Sequence, residues 1–202
     1  MFKNYNVEPT SALCSQLQAL VGRQLQSYLT TENEAYASSY GCFILRFEEE
    51  DVEVKTREII ETAAWFDETN TVELVSRQLR DSSLPFSSCT HRLADGTLKE
   101  ETCGFYEFPV GRQITAIEVA IATDTYDAQL SPFKGESAMG SYVRALIIYF
   151  DDDALVFDKG AESWSEIWAI QRCKRSQVQL AERTDCDIYP YIQTSTRVET
   201  FK

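Results

Sequence analysis

Residues 43–54, FILRFEEEDVEV, and residues 146–157, LIIYFDDDALVF, decide the fold. In the first stretch Phe43, Leu45 and Phe47 fall on one face of an alternating run, which is the period-two pattern of a β-strand. Three acids follow, and after them come apolar residues at alternate positions, Val52 and Val54 in the first stretch and Leu155 and Phe157 in the second. Because an acid-rich connection is well solvated, each stretch predicts a β-hairpin.

The two hairpins align at a constant offset of 103 residues, from 43 to 146. A second repeat, VGRQ at 21–24 and at 110–113, has an offset of 89. Together the repeats predict an internal duplication. The offsets differ by 14, so the second copy carries about fourteen extra residues between its first two strands, and we expect them as a loop at about 124–141.

Further alignment extends the copies. At the offset of 103 Trp65 matches Trp168, and at an offset of 106 residues 72–77 resemble residues 178–183. Tryptophan is rare in this chain, so the match predicts that Trp65 and Trp168 fill equivalent places in two cores.

An N-terminal helix precedes the first copy. Thr10 or Ser11 can cap its start, and apolar residues at helical spacing follow before Gly22 ends it. These residues are Leu13, Leu17 and Leu20. The fold class predicted is therefore mainly β, with α+β as the alternative: two related antiparallel β modules preceded by one helix.

The polar stretch at 81–88 and the turn signal at 94–97 predict a linker over residues 81–105. Residues 1–80 then hold the helix and first module, and residues 106–202 hold the second module with its inserted loop. Because one such module is marginal alone, we expect the two to pack together, and a pseudo-twofold arrangement follows naturally, with linear packing as the alternative.

Charge limits the partners of this chain. The chain has 202 residues, of which 32 are acidic and 19 basic, giving a net charge of −13. Such a surface repels phosphate backbones and anionic lipid, so we expect no nucleic acid and no membrane, and a basic protein is the natural partner. No secretion signal or membrane-length apolar run is present, and six dilute cysteines suit reduced thiols, so we expect a cytoplasmic location.

Catalytic motifs are incomplete in this sequence. The elbow-like GESAM at 135–139 has Met139 where glycine belongs, and Gly140-Ser141 lacks the lysine of a phosphate-binding loop. Cys89, His91 and Cys103 match no common zinc spacing. We therefore predict no catalytic residue, no metal ligand and no cofactor.

Glu53 and Lys55 have the spacing of a metal-dependent nuclease strand. Their counterparts in the second copy, Val156 and Asp158, lose that arrangement, so we predict a solvent-facing strand surface instead. The acid triplets could attract a hard cation, but solvated turn residues are the simpler interpretation.

Three features break the symmetry of the copies or add exposed charge. Trp164 has no tryptophan counterpart, the inserted loop mixes aromatic and acidic residues, and the second turn is triply acidic. The predicted partner-binding residues are Trp164, Asp124, Tyr126, Asp127, Phe133, Asp151, Asp152 and Asp153.

The leading functional hypothesis is a non-enzymatic, acidic binding protein, of the inhibitor or immunity type, that engages a basic protein. The first alternative is a metal- or small-molecule-dependent enzyme with carboxylates between the modules. The second alternative is a structural subunit of a homo-oligomer.

Overall fold

The structure, a computed structural model, describes residues 3–7, 9–31, 38–40, 42–59, 69–78, 87–92, 98–103, 105–127, 129, 137–159, 167–180 and 192–202. Within these residues it contains one α-helix, one short 3-10 turn at Arg175–Gln177 and fourteen strands. In chain order the helix and strands are β1 (Lys3–Val7), α1 (Ser11–Leu20), β2 (Gln24–Thr30), β3 (Ser38–Tyr40), β4 (Cys42–Arg46), β5 (Glu50–Ile59), β6 (Thr69–Gln78), β7 (Ser87–Arg92), β8 (Leu98–Cys103), β9 (Tyr106–Gln113), β10 (Ala116–Tyr126), β11 (Ala138–Phe150), β12 (Asp153–Asp158), β13 (Ile167–Lys174) and β14 (Ile192–Phe201).

These strands form two large sheets and one small one. The first sheet has the order β6-β5-β4-β2-β9 and is antiparallel throughout. The second has the order β14-β10-β11-β12-β13-β3, with β1 pairing parallel to β11, and β7 pairs with β8 separately. The predicted mainly β fold with two similar antiparallel sheets and a helix near the N-terminus is confirmed. One strand, β1, comes before the helix and was not predicted.

The strand register repeats between the two copies at the offsets of the sequence repeats. Phe43 lies opposite Val54 in the first sheet, and Leu146 lies opposite Phe157 in the second. Both members of the second pair lie 103 residues beyond those of the first, so the two hairpins share one register. Pairing of the preceding strand follows the offset of 89 equally well, since β2 meets β4 in the same register as β10 meets β11.

The third strand of each copy departs from the sequence alignment. Lys55 lies opposite Glu73, and Asp158, the residue 103 positions beyond Lys55, lies opposite Ala169. Trp168, one residue before Ala169, therefore corresponds to Val72 in the strand register, whereas the sequence alignment matches it with Trp65. Trp65 itself lies outside the described residues.

The extra residues of the second copy lengthen a hairpin. Relative to β2 and β4, strand β10 continues through residues 120–126 and β11 begins earlier, at 138–144, which adds seven residues to each strand. Part of the range predicted as a loop is thus strand, and the register shifts once, between Ala120 and Ile121.

Strands are also exchanged between the halves of the chain. Strand β9 belongs to the first sheet, whereas β1 and β3 belong to the second. Residues 87–92 and 98–103, within the predicted linker, form the β7–β8 pair. The division into two modules joined by a linker stays a prediction.

Both sheets face one hydrophobic core. Phe43 of β4 and Phe157 of β12 stack across it, with ring centroids 3.7 Å apart and planes 3° from parallel. Trp168 meets Phe43 edge-on at 5.2 Å, and Tyr28 meets Phe157 edge-on at 5.8 Å. The predicted apolar stripe of α1 is buried in the same core. The helix therefore contributes to the packing that holds the two sheets together.

Two glycines hold backbone conformations that other residues disfavour. Gly22 ends the helical segment with φ +84°, and Gly111 lies in β9 with φ +64°. A methyl group at either position meets no atom within 4 Å, so conformation alone sets the cost of a side chain.

We expect G22A and G111A each to lower the free energy of unfolding by about 1–2 kcal/mol, because an alanine at positive φ is strained. Urea denaturation followed by circular dichroism measures the loss. The control is A12G on the exposed helix face, which costs about 1 kcal/mol through helix propensity alone. No loss in G22A would show that this backbone can relax.

Candidate functional site

The two VGRQ repeats lie side by side. Gln24 at the start of β2 is directly opposite Gln113 at the end of β9. The amide N–H of Gly22 donates to the carbonyl of Ile114 at 2.8 Å, and the amide N–H of Ile114 donates to the carbonyl of Arg23 at 2.8 Å. Each repeat therefore forms part of the other's environment.

Side-chain hydrogen bonds also join the two repeats, one in each direction. The Gln24 amide donates to the carbonyl of Gly111 at 3.5 Å, and the Gln113 amide donates to the carbonyl of Gly22 at 2.7 Å. Such exchange is what a twofold axis between the two glutamines requires. The two VGRQ repeats are therefore related by a local pseudo-twofold axis.

The arginines of the repeats hold the acidic turns. Arg23 forms an ion pair with Glu50, and Arg112 forms one with Asp153, the residue 103 positions later. Each guanidinium also lies over an aromatic ring: Arg23 is 4.2 Å from the Phe47 centroid, and Arg112 is 5.9 Å from that of Phe150. Both turns are consequently fixed on either side of the pseudo-twofold axis, at one end of the two sheets.

The remaining turn acids face solvent. Glu48, Glu49 and Asp152 are exposed and form no ion pair with the residues that the structure describes. Asp151 has a side chain 78% exposed, 4.0 Å from Arg112, and a left-handed backbone at φ 47°. We call Glu48, Glu49, Asp151 and Asp152 the acidic pair of turns. They place carboxylates around one end of the molecule.

Asp153 differs from these acids because cations neutralise it. Lys174 donates to it at 2.7 Å and Arg112 also contacts it, and these hydrogen bonds lower the pKa of Asp153. Its contribution to stability is therefore present above the pKa of an unfolded aspartate and is lost as pH falls through the lowered folded value.

The outer face of the first sheet carries a second ionic cluster. Arg46 donates two hydrogen bonds to Asp51, at 3.0 and 3.1 Å, and pairs with Glu107 at 3.1 Å. The hydrogen bond to Asp51 contributes most to the raised pKa of Arg46. Glu53 on β5 is only 6% exposed, so the predicted solvent-facing position is wrong for it.

The same positions of the second sheet are occupied differently. Tyr149 and Ala154 stand where Arg46 and Asp51 stand in the first copy, and both are buried in an apolar cluster. The Tyr149 hydroxyl donates to Glu118 at 2.7 Å, and burial, followed by this hydrogen bond, raises the pKa of Tyr149. The copies therefore differ at these outer-face positions, which are ionic in the first sheet and apolar in the second.

A surface pocket of about 620 Å³ lies on this outer face. It does not lie between the sheets, where the enzyme alternative placed its carboxylates. Its lining residues come from β12, β13 and the segment after them: Val156, Asp158, Ala169, Ile170, Gln171, Gln179 and Leu180. Asp158 is already paired with Arg144 at 3.5 Å.

The structure separates the predicted partner-binding residues. Asp124 and Tyr126 lie in β10 and are 1% and 0% exposed, so their side chains are not presented to a partner. Asp127 is half-buried and accepts hydrogen bonds from the Gln129 amide at 2.9 Å and the Ser137 hydroxyl at 3.3 Å. Trp164 and Phe133 lie outside the described residues, and Asp151, Asp152 and Asp153 lie together at the second turn.

Sequence reasoning missed the first turn as part of this site. The sequence predicts Glu48 and Glu49 only as solvated turn residues, although they lie 103 positions before Asp151 and Asp152. The VGRQ arginines hold both turns near one axis only because Gln24 pairs with Gln113. A pairing between residues so far apart cannot be predicted from a local sequence pattern.

Several other residues considered in the sequence analysis lie in strands. Cys89 and His91 lie in β7, Cys103 in β8, and Gly140-Ser141 within β11. Among the described residues, no group of three His, Cys, Asp or Glu is arranged to hold a metal ion. In that same part of the chain no helix is long and apolar enough to cross a membrane.

The chain matches no protein-family model, and no curated protein sequence and no solved structure matches it either. Its function is therefore inferred from the geometry and charge of the molecule.

Proposed function

We propose that this chain is a non-enzymatic binding protein that engages a basic protein through the acidic pair of turns, as an inhibitor or immunity-type factor would. The observation that supports this most is the arrangement of the two turns: the pseudo-twofold pairing of the VGRQ repeats brings both to one end of the molecule.

Charge and rigidity both favour this role. The net charge of −13 attracts a basic partner over long range, and complementary charge mainly raises the association rate and selects among partners. Because Arg23 and Arg112 hold one acid of each turn, the neighbouring carboxylates need little ordering when a partner binds.

The test compares charge-matched variants. E48Q/E49Q and D151N/D152N each raise the net charge by two at one turn, and asparagine tolerates the left-handed backbone at 151. A12K/S15K raises it by two on the exposed face of α1 and serves as control. Tagged protein is exposed to its native lysate, washed at low and at high salt, and the captured proteins are quantified by mass spectrometry.

We expect a basic protein that wild type and the helix variant retain at low salt, that high salt releases, and that each turn variant binds roughly tenfold more weakly. A tight partner indifferent to salt and to both turn variants would contradict the proposal. The capture of no basic protein would also contradict the proposal. Melting temperatures measured with Mg²⁺, Mn²⁺, Ca²⁺ and Zn²⁺ would then test the enzyme alternative.

A further inference from the structure

Strand β14 forms one edge of the second sheet. It pairs with β10 over all ten of its residues in an uninterrupted register. Within the part of the chain that the structure describes, no strand lies on its other side. Residues 193–198 are exposed without exception, and Val198 keeps 51% of its surface accessible. A long, straight, exposed edge is a template for pairing with another chain.

The corresponding edge of the first sheet is protected. Strand β9 contains Pro109, which has no N–H to donate, and its pairing with β2 shifts register between Leu25 and Ser27. Prolines and bulges are the usual devices that prevent edge-to-edge association. Strand β14 has neither device, so the contrast singles out this edge.

We propose that two copies of this chain pair through β14, antiparallel and with Val198 on the twofold axis. In that register Arg197 lies opposite the partner's Glu199, and the reverse pair forms by symmetry. The two exposed valines meet at the centre, and Thr196 lies opposite the partner's Thr200. Opposite-charge pairs and Thr–Thr pairs are both favourable across antiparallel strands.

Charge distinguishes this register from its neighbours. Directly opposite residues must share a face, so a symmetric pair centres on a residue, and neighbouring registers move the axis by one residue. Centring on Arg197 or on Glu199 places that residue opposite its own copy, which brings like charges together. Centring on Thr196 places Arg197 opposite Ser195 and Glu199 opposite Gln193, which pairs no charges. Only the axis at Val198 brings both charges of β14 opposite unlike charges. The segment is therefore self-complementary, as an interface between identical subunits requires.

Sedimentation velocity over a range of concentrations, with the full chain, tests the proposal. We expect wild type to be in monomer–dimer equilibrium. R197E and E199R each place two like-charge pairs in the interface and should raise the dimer dissociation constant about tenfold or more. The double swap R197E/E199R restores unlike pairs and should return it to within about threefold of wild type.

Hydrogen exchange gives a second measurement, made on β14 itself. In wild type, hydrogen exchange of the amides of residues 193–201 should slow as concentration rises, and in the single variants it should not. Circular dichroism of dilute samples checks that each variant is folded.

Three results would overturn the proposal: a monomer at every concentration, a dimer that neither single variant weakens, or single-variant losses that the double swap fails to restore. Pairing of β14 with a strand of a different protein, in place of a second copy, would overturn it as well. E48Q/E49Q and D151N/D152N leave β14 intact and should not change the dimer, so failure here is distinguishable from failure of the proposed function.

Discussion

F157A lowers the free energy of unfolding by about 3–5 kcal/mol, the largest loss that we expect from a single side chain. Phe157 is fully buried, and its ring stacks on Phe43 of the opposite sheet with a centroid distance of 3.7 Å. Removing it leaves a cavity between two sheets whose strands are held by hydrogen bonds and cannot close the gap.

The measurement is urea unfolding followed by circular dichroism and tryptophan fluorescence. Y106A provides the control, because it also removes an aromatic ring but from a residue 50% exposed on β9, and should cost less than about 1 kcal/mol. Similar losses in F157A and Y106A would mean that the stack between the sheets does not hold them together.

R46M should cost about 2–3 kcal/mol at neutral pH. Asp51, only 6% exposed, loses both hydrogen bonds from the guanidinium and remains as a buried charge. The value lies below that of a fully buried pair because the Arg46 side chain is 21% exposed and water screens it partly.

The pH dependence of this loss has a definite sign. Asp51 raises the pKa of Arg46 above its ordinary value, so the arginine's contribution is fully present below that value and constant through the neutral range. In R46M the penalty comes from uncompensated carboxylates. Because the arginine stays charged throughout the neutral range, the loss in R46M should be constant there.

A double variant identifies the source of the loss. R46M/D51L removes both charges and should recover most of the stability, since well-packed apolar residues replace buried ion pairs at little cost. Glu107, the other partner of Arg46, has a side chain 43% exposed and stays hydrated. Equal losses in R46M and R46M/D51L would show that packing, and not the buried charge, sets the cost.

Local pattern was sufficient for the hairpins and the helix. Alternation at Phe43 to Phe47, an acid-rich connection and the cap at Thr10 each act within a few residues, and the structure has all three. The Thr10 hydroxyl accepts the Leu13 amide N–H at 3.1 Å, as the pattern predicted.

Predictions failed where the structure depends on pairing between residues that are far apart in the sequence. The offset of 103 ends after β12 because seventeen residues separate the paired Lys55 and Glu73, whereas only ten separate Asp158 and Ala169. Trp168 therefore corresponds to Val72 in the register. Asp124 and Tyr126 lie in a stretch whose polar composition predicts a loop. Hydrogen bonds from Tyr142 and Thr194 nevertheless allow Asp124 to be buried within a strand.

Exchange of strands between the halves has a consequence for synthesis on the ribosome. The first sheet cannot gain its edge strand β9 until more than half of the chain has been made, and β1 must wait for β11, about 135 residues downstream. Such non-local contacts make folding slow, because chain entropy is lost before they form. Early segments therefore remain incomplete until late ones arrive, and the native topology is closed by the C-terminal half.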